Sequence, residues 1–199
     1  MRIPLPTLLL AALSLAGTSC QKQNDPAPYV APAPVYDLYS IVHYPASNET
    51  SGTNYSALRL TGEAKQESGR VVLRFGTGAE GRERVEFMMP GSFTPGKPSS
   101  FGYQSLPAPA ADAVQVTYLL NYTLNPTTQI TKTYRADKNL TEGSLVITAY
   151  DAVHRLVSGR YEVTFQDVAD PYAELSPNQP ARKAKVIVGG EFSNLPIKP

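Results

Sequence analysis

Residues 55–89, YSALRLTGEAKQESGRVVLRFGTGAEGRERVEFMM, decide the fold class. Polar and apolar residues alternate along Tyr55–Gln66, with Ala57, Arg59, Thr61 and Glu63 on one face and Leu58, Leu60 and Gly62 on the other. Glu67-Ser68-Gly69 then reads as a hairpin turn into RVVLRF, Arg70–Phe75. A Gly-rich cluster, Gly76–Gly81, separates this from a third alternation over Arg82–Met89, where Val85, Phe87 and Met89 oppose Arg84, Glu86 and Met88. Period two with tight turns predicts antiparallel strands, because successive side chains of a strand point to opposite faces.

The same mode extends outward in both directions. Tyr36–Tyr44 predicts an earlier strand, followed by SNETSGTN, which reads as turn and loop. Ala113–Leu124, Thr128–Ala136, Ser144–Tyr150, Arg155–Phe165 and Lys183–Phe192 predict five more. Residues 90–109 and 167–180 read as loops rich in Pro, Gly or polar residues, with Phe93 and Phe101 tucked inward. About nine strands and no convincing helix predict an all-β fold, an antiparallel two-sheet β-sandwich with barrel-like closure left open. Within it, Asp151 is expected to accept backbone N–H bonds in its turn, and Gly159 to mark a bulge or a close approach. Gly189 and Gly190 would let the last strand bend or approach another chain, and Phe192, Leu195 and Ile197 would plug the core.

The amino terminus has a different character. Arg2 precedes an apolar run from Ile3 to Ala16, too short to span a bilayer as a helix of roughly 20 residues and the length of a signal-peptide core. Gly17, Thr18 and Ser19 lead to Cys20, the single cysteine of the chain. This segment resembles the lipobox of bacterial lipoproteins, and of Bacteroidetes lipoproteins in particular, although Gly17 stands where that pattern usually has Leu. The resemblance implies cleavage before Cys20 and lipidation of its thiol; the alternative is an ordinary secretory signal cut near Ala16–Ser19. Gln21–Pro34, QKQNDPAPYVAPAP, has four prolines and no hydrophobic period, and reads as a semi-rigid tether. The expected organisation is therefore a signal peptide over 1–19, an acylated cysteine and tether over 20–34, and one all-β domain over 35–199.

Composition narrows the function classes. The chain has 199 residues, 42% hydrophobic and 18% charged, with net charge +1. That balance offers no general attraction to nucleic acid, and one cysteine excludes an intrachain disulfide. His43 and His154 are the only histidines, and no metal-ligand spacing joins them. Asp151, His154 and Ser158 share one turn region without the G-x-S-x-G elbow of a hydrolase triad. Asp167, Asp170 and Glu174 lie in one polar loop and are the candidate calcium ligands, though their spacing fits no EF-hand. Gly76–Arg84 lacks the Lys-Ser/Thr of a phosphate-binding loop. The strand tyrosines could form a glycan-binding face, but such faces often use Trp, which the chain lacks, and cross-strand packing is the ordinary explanation. The N-x-S/T triplets at Asn48, Asn54, Asn121 and Asn139 carry no meaning in a bacterial chain. No catalytic residue and no cofactor is expected.

EGSLVITAYD (142–151), VSGRYEVTF (157–165) and VIVGGEFSNLPI (186–197) together resemble the carboxy-terminal signature of a family of small Bacteroidetes lipoproteins with no assigned activity. That resemblance implies a β-sandwich-like domain and an envelope location. The expected function is a non-enzymatic binding or accessory domain for a protein or glycan partner, working through loops such as 90–109 and 167–180, held at the outer membrane or cell surface by the lipid anchor. The alternatives are an envelope hydrolase with carboxylate chemistry and a structural component that pairs strand edges with a neighbour.

Overall fold

The computed structural model describes residues 29–55, 59–78, 81–93, 99–103 and 113–199. Cys20, the signal segment and tether residues 21–28 lie outside the described residues. Ala31–Pro199 forms one compact unit. It is all-β, with twelve strands: β1 (Val35–Tyr36), β2 (Leu38–Tyr44), β3 (Glu49–Tyr55), β4 (Thr61–Glu67), β5 (Arg70–Gly76), β6 (Glu83–Pro90), β7 (Ser99–Gly102), β8 (Gln115–Asn125), β9 (Thr128–Arg135), β10 (Thr141–Asp151), β11 (Leu156–Ala169) and β12 (Lys183–Lys198). The one short helical piece among the described elements is a 3-10 turn at Ala173–Leu175. Among the described residues no helix is long and apolar enough to cross a membrane.

The count of nine strands is corrected to twelve. The first predicted strand is split into β1 and β2, SNETSGTN contains β3, and the 90–109 loop contains β7. The strands do not form two separate antiparallel sheets but one continuous mixed sheet, and it is not closed into a barrel. One half runs β3-β2-β12-β11-β10-β7, with β1 also on β12; the other runs β4-β5-β6-β8-β9. The long β12 joins them. Lys185–Gly189 pair antiparallel with β2, while Ile197 and Lys198 pair parallel with Ala64 and Lys65 of β4. A second parallel contact, Tyr103 with Val114, links the ends of β7 and β8.

The halves face each other across an aromatic interior. Phe75 of β5 stacks on Tyr161 of β11 at 5.2 Å and lies 5.1 Å from Phe192 of β12. Phe87 of β6 meets Tyr161 at 4.9 Å, and Tyr118 of β8 meets Phe165 of β11 at 6.5 Å. Each such ring buries enough apolar surface to contribute about 1.5–3 kcal/mol, and each ring pair adds about 0.5–1.5 kcal/mol. Leu195 and Ile197 are buried with Phe192 at the end of β12, as expected.

The turns follow their residues. Ser68 (φ 48°) and Gly69 (φ 77°) make the two-residue hairpin turn between the paired Glu67 and Arg70. Asp151 Oδ1 accepts the backbone N–H groups of Val153 and His154. At Gly159 the register of β11 slips against both β10 and β12, and a Cβ there would run into the Val146 carbonyl and the Phe192 ring. Gly189 and Gly190 do permit close approach, to the Tyr39 ring and to Asp37 of this same chain.

Candidate functional site

The site begins with a turn. Thr77 N–H donates to the Glu83 carbonyl at 3.0 Å, and Glu83 N–H donates back to Thr77 Oγ1 at 3.0 Å. Gly78 and Gly81 supply the positive φ angles, 49° and 58°, that this turn needs. The result sets Glu83 as the first residue of β6, on the same inward face as Val85, Phe87 and Met89. Glu83 is 3% exposed.

A buried carboxyl group must find hydrogen-bond partners, since burying one without them costs several kcal/mol. Glu83 finds three hydroxyls. Ser40 Oγ and Tyr55 Oη donate to Oε1 at 2.9 and 2.6 Å, and Tyr118 Oη donates to Oε2 at 2.7 Å. Ser40 and Tyr55 come from β2 and β3, Tyr118 from β8, so the carboxyl group ties the two halves of the sheet together.

Above it lies a groove of about 720 Å³. Thr53 and Tyr55 of β3 form one wall, and Leu120–Thr123 of β8 with Gln129 of β9 form the other. Arg82 and Glu83 line it from the turn, and Tyr172 closes it from the 170–182 loop. Three half-buried tyrosine rings, Tyr55, Tyr122 and Tyr172, therefore face one space. Tyr122 and Tyr172 are 5.4 Å apart, tilted by 58°. Asn121 is fixed by donating to the Gly81 carbonyl and accepting from Thr131 Oγ1.

The 170–182 loop is wired to the sheet. Asp170, 5% exposed, accepts from Tyr44 Oη at 2.8 Å, from Tyr172 N–H at 2.9 Å and from Arg182 Nη2 at 2.9 Å. Burial alone would raise the Asp170 pKa, but these donors outweigh it and leave it lowered. Arg182 also stacks 4.0 Å over the Tyr44 ring and reaches Glu49. Glu174 accepts from Lys132 Nζ and from Tyr122 Oη, which hold its carboxyl at about 2.

Burial first, and then hydrogen bonds to Glu83 and Glu174, raise the pKa of Tyr55 and Tyr122, so both are neutral phenols and not bases. Glu83 is the one carboxyl group among the described lining residues, and both its oxygens already accept from hydroxyl donors. A second cleft of about 410 Å³ gathers Asp37, Glu162 and Glu191 with Arg160 and Tyr39. There Asp37 Oδ1 accepts the Glu191 N–H, and Tyr39 donates to Glu162 at 2.7 Å. Burial and Glu162 push the Tyr39 hydroxyl up to about 12.

The residues singled out from sequence are placed as follows. Asp167, Asp170 and Glu174 are not brought together as a calcium cradle; Lys183, Arg182 and Lys132 respectively face them. Among the described residues no group of three or more His, Cys, Asp and Glu could hold a metal ion. His43 contacts Thr50 on β3, and His154 contacts Asp151 at 2.6 Å in its turn. Ser158 Oγ accepts the Asn194 N–H at 3.0 Å. Cys20 lies outside the described residues. Of the strand tyrosines, Tyr118, Tyr134 and Tyr161 pack in the core, while Tyr122 reaches the groove. Sequence reasoning missed Glu83, Tyr55 and Tyr172 as a group. The usable signal was the two-residue spacing that puts Glu83 in line with Val85 and Phe87.

No family model, curated protein or solved structure matches this chain.

Proposed function

We propose that the protein is an envelope lipoprotein of the kind its carboxy-terminal signature resembles, anchored through a lipid on Cys20, whose β domain is a non-enzymatic binding or accessory module for a protein or glycan partner. The groove between β3 and β8 carries this reading. It has about 720 Å³ of space, three tyrosine rings, hydrogen-bonding Thr53, Thr123 and Gln129, and a floor held rigid by Glu83. Aromatic rings with a few fixed polar groups suit recognition. Exposed large apolar side chains of the domain, Val35, Leu140, Val153 and Leu175, sit at separate places in the chain and leave the groove as the best-formed recognition feature.

The test is to place a photo-crosslinking residue at Thr123 in the full-length protein, in cells, with Thr133 as a control on the outward face of β9. A covalent adduct at position 123 and none at 133 supports binding in the groove. No adduct at either position overturns it. Fractionation of wild type and Cys20→Ala, with mass analysis of the mature terminus, tests the anchor separately.

A second reading, strand pairing with a neighbour, is favoured by β3. It is a seven-residue margin of the sheet, ETSGTNY, with neither Pro nor Lys.

A further inference from the structure

We infer that the groove holds an extended segment of a partner protein, which adds as a strand to the free edge of β3 and places its alternate, aromatic or aliphatic side chains among the groove tyrosines. The inference rests on the binding reading above and names its partner chemistry.

The register of β2 and β3 shows an interior that stops one strand short. Leu38, Ser40, Val42 and Tyr44 of β2 face inward and are all buried. Their same-face partners on β3 are Tyr55, Thr53, Ser51 and Glu49. Ser51 and Thr53 thus point toward the interior, yet both are exposed, and Tyr55 is only half-buried. Beside Thr53 and Tyr55, where a neighbouring strand would cover them, lies the open groove.

The other margins are guarded. β9 turns Lys132 inward, where Glu174 from the Ala173–Leu175 turn pairs with it. β7 is only four residues long, and β4 is covered by the end of β12. An inward charge, a short strand and a cover are the usual devices that stop a sheet edge from pairing. β3 carries an inward charge only at its first residue, Glu49, which pairs with Arg182; from Thr50 to Tyr55 it has none of these among the described residues, and its pairing to β2 runs without a bulge. An added strand gains main-chain hydrogen bonds from such an edge, and specificity from pockets for every second side chain.

The chemistry of the two faces fixes the occupant. Inward, Leu120, Tyr55, Tyr122 and Tyr172 offer ring and aliphatic contacts. Outward, Thr50, Gly52 and Asn54 are small, polar and exposed, and ask for polar residues in register. A second copy of the chain fits poorly. Its β3 would bring Ser51 and Thr53 to a space that needs bulk. A seven-residue edge meeting itself also falls short of the roughly 1,200 Å² of a stable interface.

The probe is an acetylated, amidated seven-residue peptide, Thr-Tyr-Thr-Leu-Thr-Tyr-Thr, added to the full-length protein. Binding is read by isothermal calorimetry and by hydrogen exchange. The expected result is protection of amides within Glu49–Tyr55, with affinity reduced at least about tenfold when alternate peptide nitrogens are methylated. Ser51→Lys, which copies onto β3 the inward charge that guards β9, should reduce binding by a similar factor without lowering Tm. Absence of binding, or binding that leaves β3 amides unprotected, overturns the inference. So does self-association of the free chain that Ser51→Lys abolishes, because the edge would then serve a second copy. A glycan as the only adduct at position 123 leaves the binding reading standing and removes this one.

Discussion

Tyr118 of β8 donates its hydroxyl hydrogen to Glu83 Oε2 at 2.7 Å, and it does so while being 1% exposed. Neither group can turn to water if the other is removed. Ser40, 7% exposed, depends on the same carboxyl group. Glu83→Ala should therefore destabilise the domain by about 3 kcal/mol or more, since each buried donor left without a partner costs about 1–3 kcal/mol. Tyr118→Phe, which removes a donor but leaves Glu83 its other two partners, should cost about 1–2 kcal/mol. Urea denaturation of the two variants checks the order; equal stability of Glu83→Ala and wild type would refute the structural role.

Tyr103 gives the opposite expectation. Its ring packs against Phe87 at 6.0 Å, and its buried hydroxyl makes no well-formed hydrogen bond among the described residues, although the Glu162 backbone lies near it. Tyr103→Phe keeps the ring and deletes the unsatisfied group. The variant should be as stable as wild type or more so, by up to about 1–3 kcal/mol. A loss above about 1 kcal/mol in the same denaturation assay would show that the hydroxyl is satisfied.

Acid should loosen the groove wall before it unfolds the sheet. Lys132 first and Tyr122 second hold the Glu174 carboxyl at about 2, below the ordinary Glu value of roughly 4.3. A depressed carboxyl stabilises the fold above its unfolded value and loses that contribution as pH falls toward the folded one. The difference in Tm between wild type and Glu174→Gln should be constant above about pH 5, shrink as pH falls, and vanish only below about pH 2. The pair is partly exposed, 25% at Lys132 and 37% at Glu174, so solvent screens it, the difference is under about 1 kcal/mol, and it should fall with added salt. A difference that persists undiminished at pH 2 would assign the effect to packing instead.

At Gly159 β11 packs tightly between β10 and β12. A Cβ there would lie 2.7 Å from Phe192 Cζ and press on the Val146 carbonyl. Backbone cannot yield as a flexible side chain can, so Gly159→Ala should cost about 1–3 kcal/mol or more through overpacking. Gly102→Ala, with open space around its Cβ position, is the control and should change stability little. Thermal melts of the pair decide it.

The strands that were legible are those with one wet face and one dry face. β5 and β6 alternate because Leu73, Phe75, Val85 and Phe87 point into the core while Arg74 and Glu86 pair outside it. β3 was not legible, because Ser51 and Thr53 face the interior side and still meet water, so nothing in ETSGTNY alternates. β7 was hidden by its length of four residues in a Pro-rich stretch. The parallel pairing of β12 with β4 joins distant residues and leaves no local trace. The groove was illegible for a related reason. Tyr55, Glu83, Tyr122 and Tyr172 come from four separate stretches, each of which reads as ordinary strand or loop. Only the turn chemistry of Asp151 and the tight site at Gly159 could be read from single positions.

The long β12 has one more consequence, and it concerns time. It takes its partners from both extremes of the domain: Asp37 and Glu191, 154 positions apart, share a hydrogen bond. Topologies dominated by such distant pairings fold slowly, on the order of milliseconds to seconds, because loop closure must precede any gain. For a chain proposed to cross a membrane before it folds, slow folding is an advantage: β1 has no other partner, and the β2–β3 and β4–β5 hairpins are not joined into one sheet, until β12 arrives. Under the export proposed above, a thread of this topology stays passable until β12 is through.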